Sequence, residues 1–340
     1  MANNKVGQQT LKLNSHPKII ATASIVGPKE GEGPLKEYFD MVLQDDYFGE
    51  KSWEKAESKI LRETVKLAVQ KAGLTPEDIH YMLGGDLLNQ IISASFAARE
   101  LKIPFFGLYG ACSTMAESLT LGSILIDGQY ADYVVAVTSS HFSSAERQFR
   151  FPLEHGNQRP PTSQWTVTGS GAMVVASGGE GPCVTYVTPG RVIDLGIKDA
   201  NNMGAAMAPA AAHTIVAHFR DTGFLQRDYD VIATGDLGKI GKDITQEMVL
   251  KEGYDISLVY TDCGIEVFSD DQDVNSGGSG CGCSAVVTCG YFYDRLVKGE
   301  IKRMLLVATG ALLSPTSSQQ GESIPGIAHA VTIESMSKGR

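Results

Sequence analysis

The sequence predicts an α/β fold assembled from two similar halves. Two observations predict it: short apolar strand-like runs alternate with amphipathic helical segments, and motifs of the first half recur in the second. Such alternation is typical of apolar strands that are covered by helices on their faces. The repetition divides the chain into residues 1–190 and residues 191–340, and it predicts a layered sandwich with pseudo-two-fold symmetry.

The repeat is carried by motifs that lie where a strand ends or a helix begins. The paired motifs are Gly85-Asp86 with Gly235-Asp236, Cys112-Ser113 with Cys283-Ser284, and the strands that end at Thr138 and Thr309. The first pair is 150 residues apart (236 − 86), and both other pairs are 171 residues apart (283 − 112 and 309 − 138). Because one offset spans a helix and the strand after it, duplication explains the pattern better than chance.

The elements of the first half follow from apolar spacing and from helix end signals. Glu54 to Lys71 has helical apolar spacing and stops at Gly73. Thr75-Pro76 places an N-cap residue before a proline at the first helical position. Tyr81 to Asp86 is predicted to be a strand, and Gln90 to Leu101 a further helix.

The remaining elements are predicted in the same way. Pro209 to Asp221 is expected to be a helix opened by its proline, and Ser257 to Asp262 to be a strand. The segment 139–168 is rich in Ser, Pro, Gln and Arg and is predicted to be a loop excursion. Long loops of this kind tend to cover functional sites.

Composition limits the classes of function. The 340 residues carry a formal charge of −10, which argues against non-specific binding to nucleic acid or to an anionic membrane surface. Residues 1–14 lack the apolar core of a signal peptide, and no stretch approaches a membrane-spanning length. We therefore expect a cytoplasmic protein with no direct membrane insertion. Its six cysteines, none in a C-x-x-C pair, are expected to be reduced thiols without structural zinc.

Cys112 is the candidate nucleophile. It lies between the apolar run Ile103 to Leu108 and a helix predicted from Ser113 to Ile126. A thiol at a helix N-terminus is close to the positive end of the helix dipole, which lowers its pKa and favours the thiolate. The alternative is an inert buried cysteine, because free cysteines are among the most buried residue types.

Together the duplicated halves and Cys112 resemble the thiolase and ketoacyl-synthase superfamily. That resemblance implies βαβαβαββ halves in an αβαβα sandwich, with Cys112 matching the family's nucleophile. Three stretches, 110–115, 194–211 and 234–238, more closely resemble the family of stage V sporulation AD proteins of spore-forming bacteria. This resemblance implies a protein that binds dipicolinic acid in developing spores. It also implies membrane proteins of the same sporulation operon as partners, through which the protein would associate with the spore inner membrane.

The partners that thiolases and condensing enzymes require do not match. Where those enzymes carry His or Asn after the first strand of the second half, this chain has Gly235-Asp236-Leu237-Gly238. The thiolase histidine motif is replaced by residues 275–282, with Asn275 as a weak stand-in, and the second thiolase cysteine is absent from residues 320–326. A thiol without a base can be acylated but not readily used for condensation. A non-catalytic ligand-binding protein is therefore expected, with an acyltransferase that uses Cys112 as the alternative.

A pocket for a planar aromatic dianion needs cations or N–H donors and a flat apolar wall. The candidate ligand-binding residues are Cys112, Ser113, His141, Arg147, Arg150, Asp236, Asn275, Gly278 and Cys283. No cofactor and no metal site are expected, because the EF-hand-like start at Asp271 lacks the later Gly and Glu. Calcium is expected only as part of the ligand. The resemblance also implies a homodimer that pairs through the strand Pro104 to Tyr109.

Overall fold

Two copies of a βαβαβαββ unit follow one another along the chain. The structure is a computed structural model that describes residues 4–149 and 159–335. Before residue 180 its elements are β1 (Lys5–Val6), β2 (Thr10–Lys12), β3 (Lys18–Val26), α1 (Pro28–Gly31), β4 (Met41–Val42), α2 (Trp53–Lys71), β5 (Tyr81–Gly85), α3 (Ile92–Leu101), β6 (Phe105–Gly107), α4 (Thr114–Asp127), β7 (Tyr133–Ser140), α5 (Phe142–Phe149), β8 (Trp165–Thr166) and β9 (Gly169–Ala176).

The second part repeats the order. Its elements are β10 (Cys183–Thr188), α6 (Met203–Thr222), β11 (Val231–Thr234), α7 (Gly238–Lys251), β12 (Tyr260–Asp262), α8 (Cys263–Glu266), β13 (Gly278–Ser279), α9 (Cys281–Val287), α10 (Tyr293–Lys298), β14 (Arg303–Ala311), α11 (Pro315–Gln319) and β15 (Gly326–Glu334). A π-helical turn joins α9 to α10, so the two form one continuous helical segment.

Each unit builds a sheet with the same strand order. The first runs β6-β5-β7-β9-β3 and the second runs β12-β11-β14-β15-β10. In both units the inner strands are parallel and the last strands run antiparallel to their neighbours. The two sheets meet at one antiparallel pair, Cys183 with Lys18. The duplication and the α/β fold class predicted from the motifs are therefore confirmed.

Helices form three layers around the two sheets. α2 and α3 pack outside the first sheet, and α6 and α7 pack outside the second. α4 contacts strands of both sheets, α9 contacts strands of the first, and the two helices contact each other. Their position explains their burial, since every residue of α9 is buried. The layers are αβαβα, with α4 and α9 at the centre.

The central helix α9 lies directly against β9 because Gly171 has no side chain. A Cβ atom at Gly171 would lie 2.4 Å from the backbone oxygen of Ala285, closer than any real Cβ contact. The strand and the helix backbone can therefore touch, which fixes how deep the start of α9 sits between the sheets.

Two elements differ most from the sequence-based expectation. α6 begins at Met203, capped by the Asn202 side chain, rather than at Pro209, which lies inside it. Four of the six helix residues before the proline are Gly or Ala, and most of the six are buried, so packing against the neighbouring helix outweighs the lost backbone hydrogen bond. Segment 139–168 is not a simple loop, because it contains the end of β7, all of α5 and the short strand β8.

The central layer predicts the cost of a cavity there. Leu119 of α4 is fully buried between the sheets, whereas Leu258 is 97% exposed. Leu119→Ala should lower the free energy of unfolding by about 2–5 kcal/mol, because a buried leucine leaves a cavity when truncated. Leu258→Ala is the matched control and should change it by less than about 0.5 kcal/mol. Chemical denaturation measures both, and equal effects would contradict the placement of α4.

Candidate functional site

The candidate site lies where the carboxyl ends of strands from both sheets face each other. Cys112 follows β6, Asp236 follows β11, and Ala311 ends β14. Open α/β sheets bind ligands at this edge, because the loops there are free of sheet pairing. The duplication therefore brings one strand edge from each half to a single place.

A tight turn presents Cys112 at the start of α4. Ala111 adopts a left-handed conformation with φ of 51°, and residues Ala111–Ser113 form one 3₁₀ turn before the helix. The Ser113 hydroxyl donates to the Gly110 carbonyl at 2.7 Å, which holds the turn. Gly310 of β14 lies against it, since a Cβ atom there would be 2.4 Å from the Gly110 oxygen. The second half thus supports the turn that carries the thiol.

The Cys112 thiol is 7% exposed and lies in an acidic environment. It donates a hydrogen bond to the Cys281 sulphur and contacts the Asp236 carboxylate. The Cys281 contact, then burial, then the charge of Asp236 raise the pKa of Cys112 well above its ordinary value. This direction is opposite to the lowering expected from the helix dipole. A protonated thiol is a weak nucleophile, so Cys112 is not activated.

Asp236 is held firmly beside the thiol. Its carboxylate accepts hydrogen bonds from the Thr309 hydroxyl at 2.8 Å, from the Ser279 hydroxyl at 3.2 Å and from the Gly280 backbone N–H at 3.1 Å. Burial is the main cause that raises the pKa of Asp236, although these donors oppose it. A carboxylate therefore lies beside the thiol, at the place where the sequence comparison with condensing enzymes expects a histidine or an asparagine.

A cavity of about 470 Å³ opens in front of Cys112. Its apolar and aromatic lining is Leu87, Tyr109, Ala111, Ala145, Phe149, Met203, Ala311, Leu312 and Leu313. Its polar lining is Asn89, Cys112, Glu146, Thr166, Ser279, Ser314 and Ser317. Among the described residues no histidine lines it, and Glu146 is the one charged side chain that does. We call it the Cys112 pocket.

Two of the predicted ligand-binding residues lie away from this pocket. The ring of His141 is buried, where its Nδ1 accepts from the Ser143 N–H and its Nε2 contacts the Asp46 carbonyl. Burial lowers the pKa of His141, so the ring is neutral. Arg147 forms an ion pair with Glu54 and lines a neighbouring cavity. Arg150 lies outside the described residues.

Of the residues predicted from the second half, some lie beside the thiol and others lie away from the pocket. Asp236 lies beside Cys112, and Ser279 lines the pocket next to Gly278. Gly278 itself pairs with Trp165, and its carbonyl accepts from Gln164 at 3.0 Å. Asn275 donates to the Ser163 hydroxyl at 3.1 Å and does not line the pocket.

Cys283 is a core residue. Its thiol is fully buried in the central layer, and burial raises its pKa well above the ordinary value. Ser113 is equally buried behind the turn, where its hydroxyl bonds the backbone. Neither side chain lines the Cys112 pocket, although both lie close in sequence to residues that do.

Cys281 is a neighbour of the thiol that the sequence-based expectations leave out. Its sulphur donates to the Ala111 carbonyl at 3.1 Å, so it links the two helix starts as well as contacting the Cys112 thiol. The C-x-C pair formed by Cys281 and Cys283 is the feature of the sequence from which Cys281 could have been identified as this neighbour. The constant offset points to Cys283 instead, two residues further into the buried helix.

Metal ligands and membrane spans are not evident within residues 4–149 and 159–335. There, no group of three or more His, Cys, Asp or Glu side chains is arranged to hold a metal ion. Over the same residues, each helix is too short or too polar to cross a bilayer.

Solved structures share this architecture. A 3-oxoacyl-[acyl-carrier-protein] synthase III from Aquifex aeolicus VF5 superposes with a TM-score of 0.58 at 13% identity, covering 94% of this chain and 99% of that chain. Cerulenin-bound OleA from Xanthomonas campestris superposes with a TM-score of 0.61 at 14% identity, covering 98% of this chain and 99% of that chain. At these identities the likeness shows the fold alone, which is thiolase-like.

Sequence comparison is more specific. The model of a family described as Stage V sporulation protein AD (SpoVAD) matches residues 7–334. Stage V sporulation protein AD of Bacillus subtilis (strain 168) is 47% identical over 329 residues, covering 96% of this chain and 97% of that protein. The family match and the relative both extend over nearly the whole chain. This chain therefore belongs to the stage V sporulation protein AD family.

Proposed function

We propose that this chain binds dipicolinic acid, as its calcium chelate, in the Cys112 pocket and serves its uptake into developing spores. One observation carries the proposal. The pocket lies at the strand edge where a thiolase site would lie, but the carboxylate beside its thiol, that of Asp236, raises the pKa of the thiol. The high pKa of Cys112 and the lack of a lining histidine among the described residues support binding rather than catalysis.

The size and lining of the pocket suit a small planar ligand. About 470 Å³ falls in the usual range for small-molecule sites. Tyr109 and Phe149 supply aromatic surface for a flat ring. The Thr166 hydroxyl is a potential hydrogen-bond donor to a carboxylate.

Charge favours the chelate over the free dianion. The one described charged residue that lines the pocket is Glu146, whose carboxylate pairs with Arg159 at 3.0 Å. A calcium ion carried by the ligand is a hard cation that prefers carboxylate oxygens, so the chelate can use this side chain whereas the free dianion cannot. Glu146 is accordingly the protein residue placed to meet the calcium.

The uptake role includes partners. We propose membrane proteins of the same sporulation operon as the partners, which would hold the protein at the spore inner membrane. A homodimer through the edge strand β6 is part of the same proposal. Phe106 of this strand is 48% exposed, and burying it against a second copy would remove apolar surface from water.

The state of the thiol can be measured directly. Alkylation of Cys112 by iodoacetamide should accelerate with pH up to about pH 9 without a plateau, because the thiol stays protonated below its raised pKa. Asp236→Asn removes a buried negative charge and should increase the rate at about pH 8 by about tenfold, the effect of one pKa unit. Asp271→Asn, at an exposed acid, is the control. Peptide mass spectrometry gives the rates, and a plateau below about pH 7 would indicate an activated thiolate.

Ligand binding is tested by calorimetric titration with dipicolinate, with and without calcium. The wild type and Cys112→Ala should both bind saturably with calcium, because the thiol is only part of the wall. Ser317→Trp should abolish binding by filling the pocket, while Thr316→Trp, exposed on the same helix outside it, should not. Absence of binding by the wild type, together with thiol-dependent acyl transfer from a CoA ester, would establish the acyltransferase alternative.

The form of the ligand is tested by Glu146→Gln. Affinity for dipicolinate in the presence of calcium should fall by about tenfold or more, because a charged oxygen ligand is lost. Affinity for dipicolinate in the presence of a chelator should be unchanged or higher, since the free dianion makes no use of the Glu146 carboxylate. The reverse pattern in the same calorimetric titration would show that the free dianion is the bound form.

A further inference from the structure

A second cavity of about 540 Å³ lies on the outer side of α6. It is bounded by α6, the segment after β10, the end of α7 and the N-terminal residues Gln8 and Gln9. Among the described residues, it shares no lining residue with the Cys112 pocket. We call it the α6 cavity, and its charges are distributed very differently.

Two arginines line the α6 cavity, and both acids that accompany them are already engaged. The Arg191 guanidinium has no ion pair or hydrogen bond to any other described residue, and Arg220 pairs with Glu252 at 2.6 Å on the exposed rim. Asp221 accepts three backbone N–H donors, from Gln8 at 2.8 Å, Gln9 at 2.7 Å and Thr10 at 2.8 Å. Arg191 is therefore the one lining arginine that has no ion-pair partner among the described residues.

His213 provides an independent observation. It lines the same cavity, and its Nδ1 is buried without a hydrogen-bond partner in the described chain. Buried polar atoms without a partner are rare, and each has a cause such as a missing ligand. Burial, followed by the charges of Arg191 and Arg220, lowers the pKa of His213. An anion placed among the three side chains would offset this repulsion between the arginines and a protonated ring.

We infer that the α6 cavity binds a small oxyanion, a carboxylate or a phosphate, between Arg191, Arg220 and His213. Guanidinium groups are the usual ligands for both anions, because their N–H donors match two oxygens at once. Much of the remaining lining, including Pro209, Val216 and Met248, is apolar. That surface favours an organic acid whose carboxylate meets the arginines and whose hydrocarbon part packs on α6. This site is separate from the proposed function and does not depend on it.

The test uses benzoate and inorganic phosphate as probes on the full chain, at constant ionic strength. The His213 ring C–H signal in NMR should shift saturably with at least one of them, and the pKa of His213 should rise when the anion binds, since an anion stabilises the protonated ring. Saturation by benzoate alone identifies a carboxylate site, and saturation by phosphate alone identifies a phosphate site.

Variants separate this site from general charge effects. Arg191→Ala should weaken binding of the active probe by at least about tenfold, because a charge-assisted hydrogen bond is lost. Arg227→Ala, at an exposed arginine outside the cavity, should leave affinity unchanged. Ser317→Trp should also leave it unchanged, so a failure here is distinguishable from a failure of the Cys112 pocket. No saturation by either probe below about 10 mM would overturn the inference.

Discussion

The candidate site depends on the contact between two helix starts in the central layer. α4 and α9 come from different halves and pack against each other between the sheets. The Cys281 sulphur bonds to the Ala111 carbonyl, and Gly310 lies against the Gly110 carbonyl, so the second half buttresses the turn of the first. If the starts of α4 and α9 were further apart, Cys112 would not lie beside Asp236, and the pocket in front of Cys112 would not be closed at its base.

Electrostatics then decides what the shared pocket can do. A helix N-terminus stabilises a thiolate by roughly 0.3–1 kcal/mol at exposed sites, more where it is partly buried. At Cys112 that effect competes with burial and with a fixed carboxylate, and the resulting pKa is raised. The acids extend further back, because burial and then Asp86 and Glu57 also raise the pKa of Cys281. The groups around Cys112 and Cys281 therefore favour the protonated thiols over the thiolates.

Much of the fold can be predicted because its signals are local and duplicated. Strand runs, caps such as Thr75 and the constant motif offset each specify an element without knowledge of its neighbours. The start of α6 cannot be predicted in this way, because tertiary packing of small residues outweighs the signal of Pro209. α5 escapes prediction although Phe142, Ala145 and Phe149 have helical spacing, since its polar composition indicates a loop.

The site is predicted less completely, for physical reasons. Cys112 and Asp236 come together because each follows a strand that ends at the same edge of the molecule. Side-chain partners over long sequence distances carry no local signal, so the ion pair that turns Arg147 toward Glu54 cannot be foreseen. The Asp46 carbonyl that holds His141 is equally remote in sequence. Neither Arg147 nor His141 therefore reaches the pocket that the sequence assigns to them.

The central claim is that the Cys112 pocket holds a ligand without using its thiol. A crystal structure of the wild-type protein grown with calcium and dipicolinate tests it most directly. We expect a planar ligand between Tyr109 and Ala311, calcium near Glu146, and an unmodified Cys112 sulphur. An empty Cys112 pocket with the ligand bound elsewhere on the chain would contradict the claim, as would a covalent adduct on Cys112.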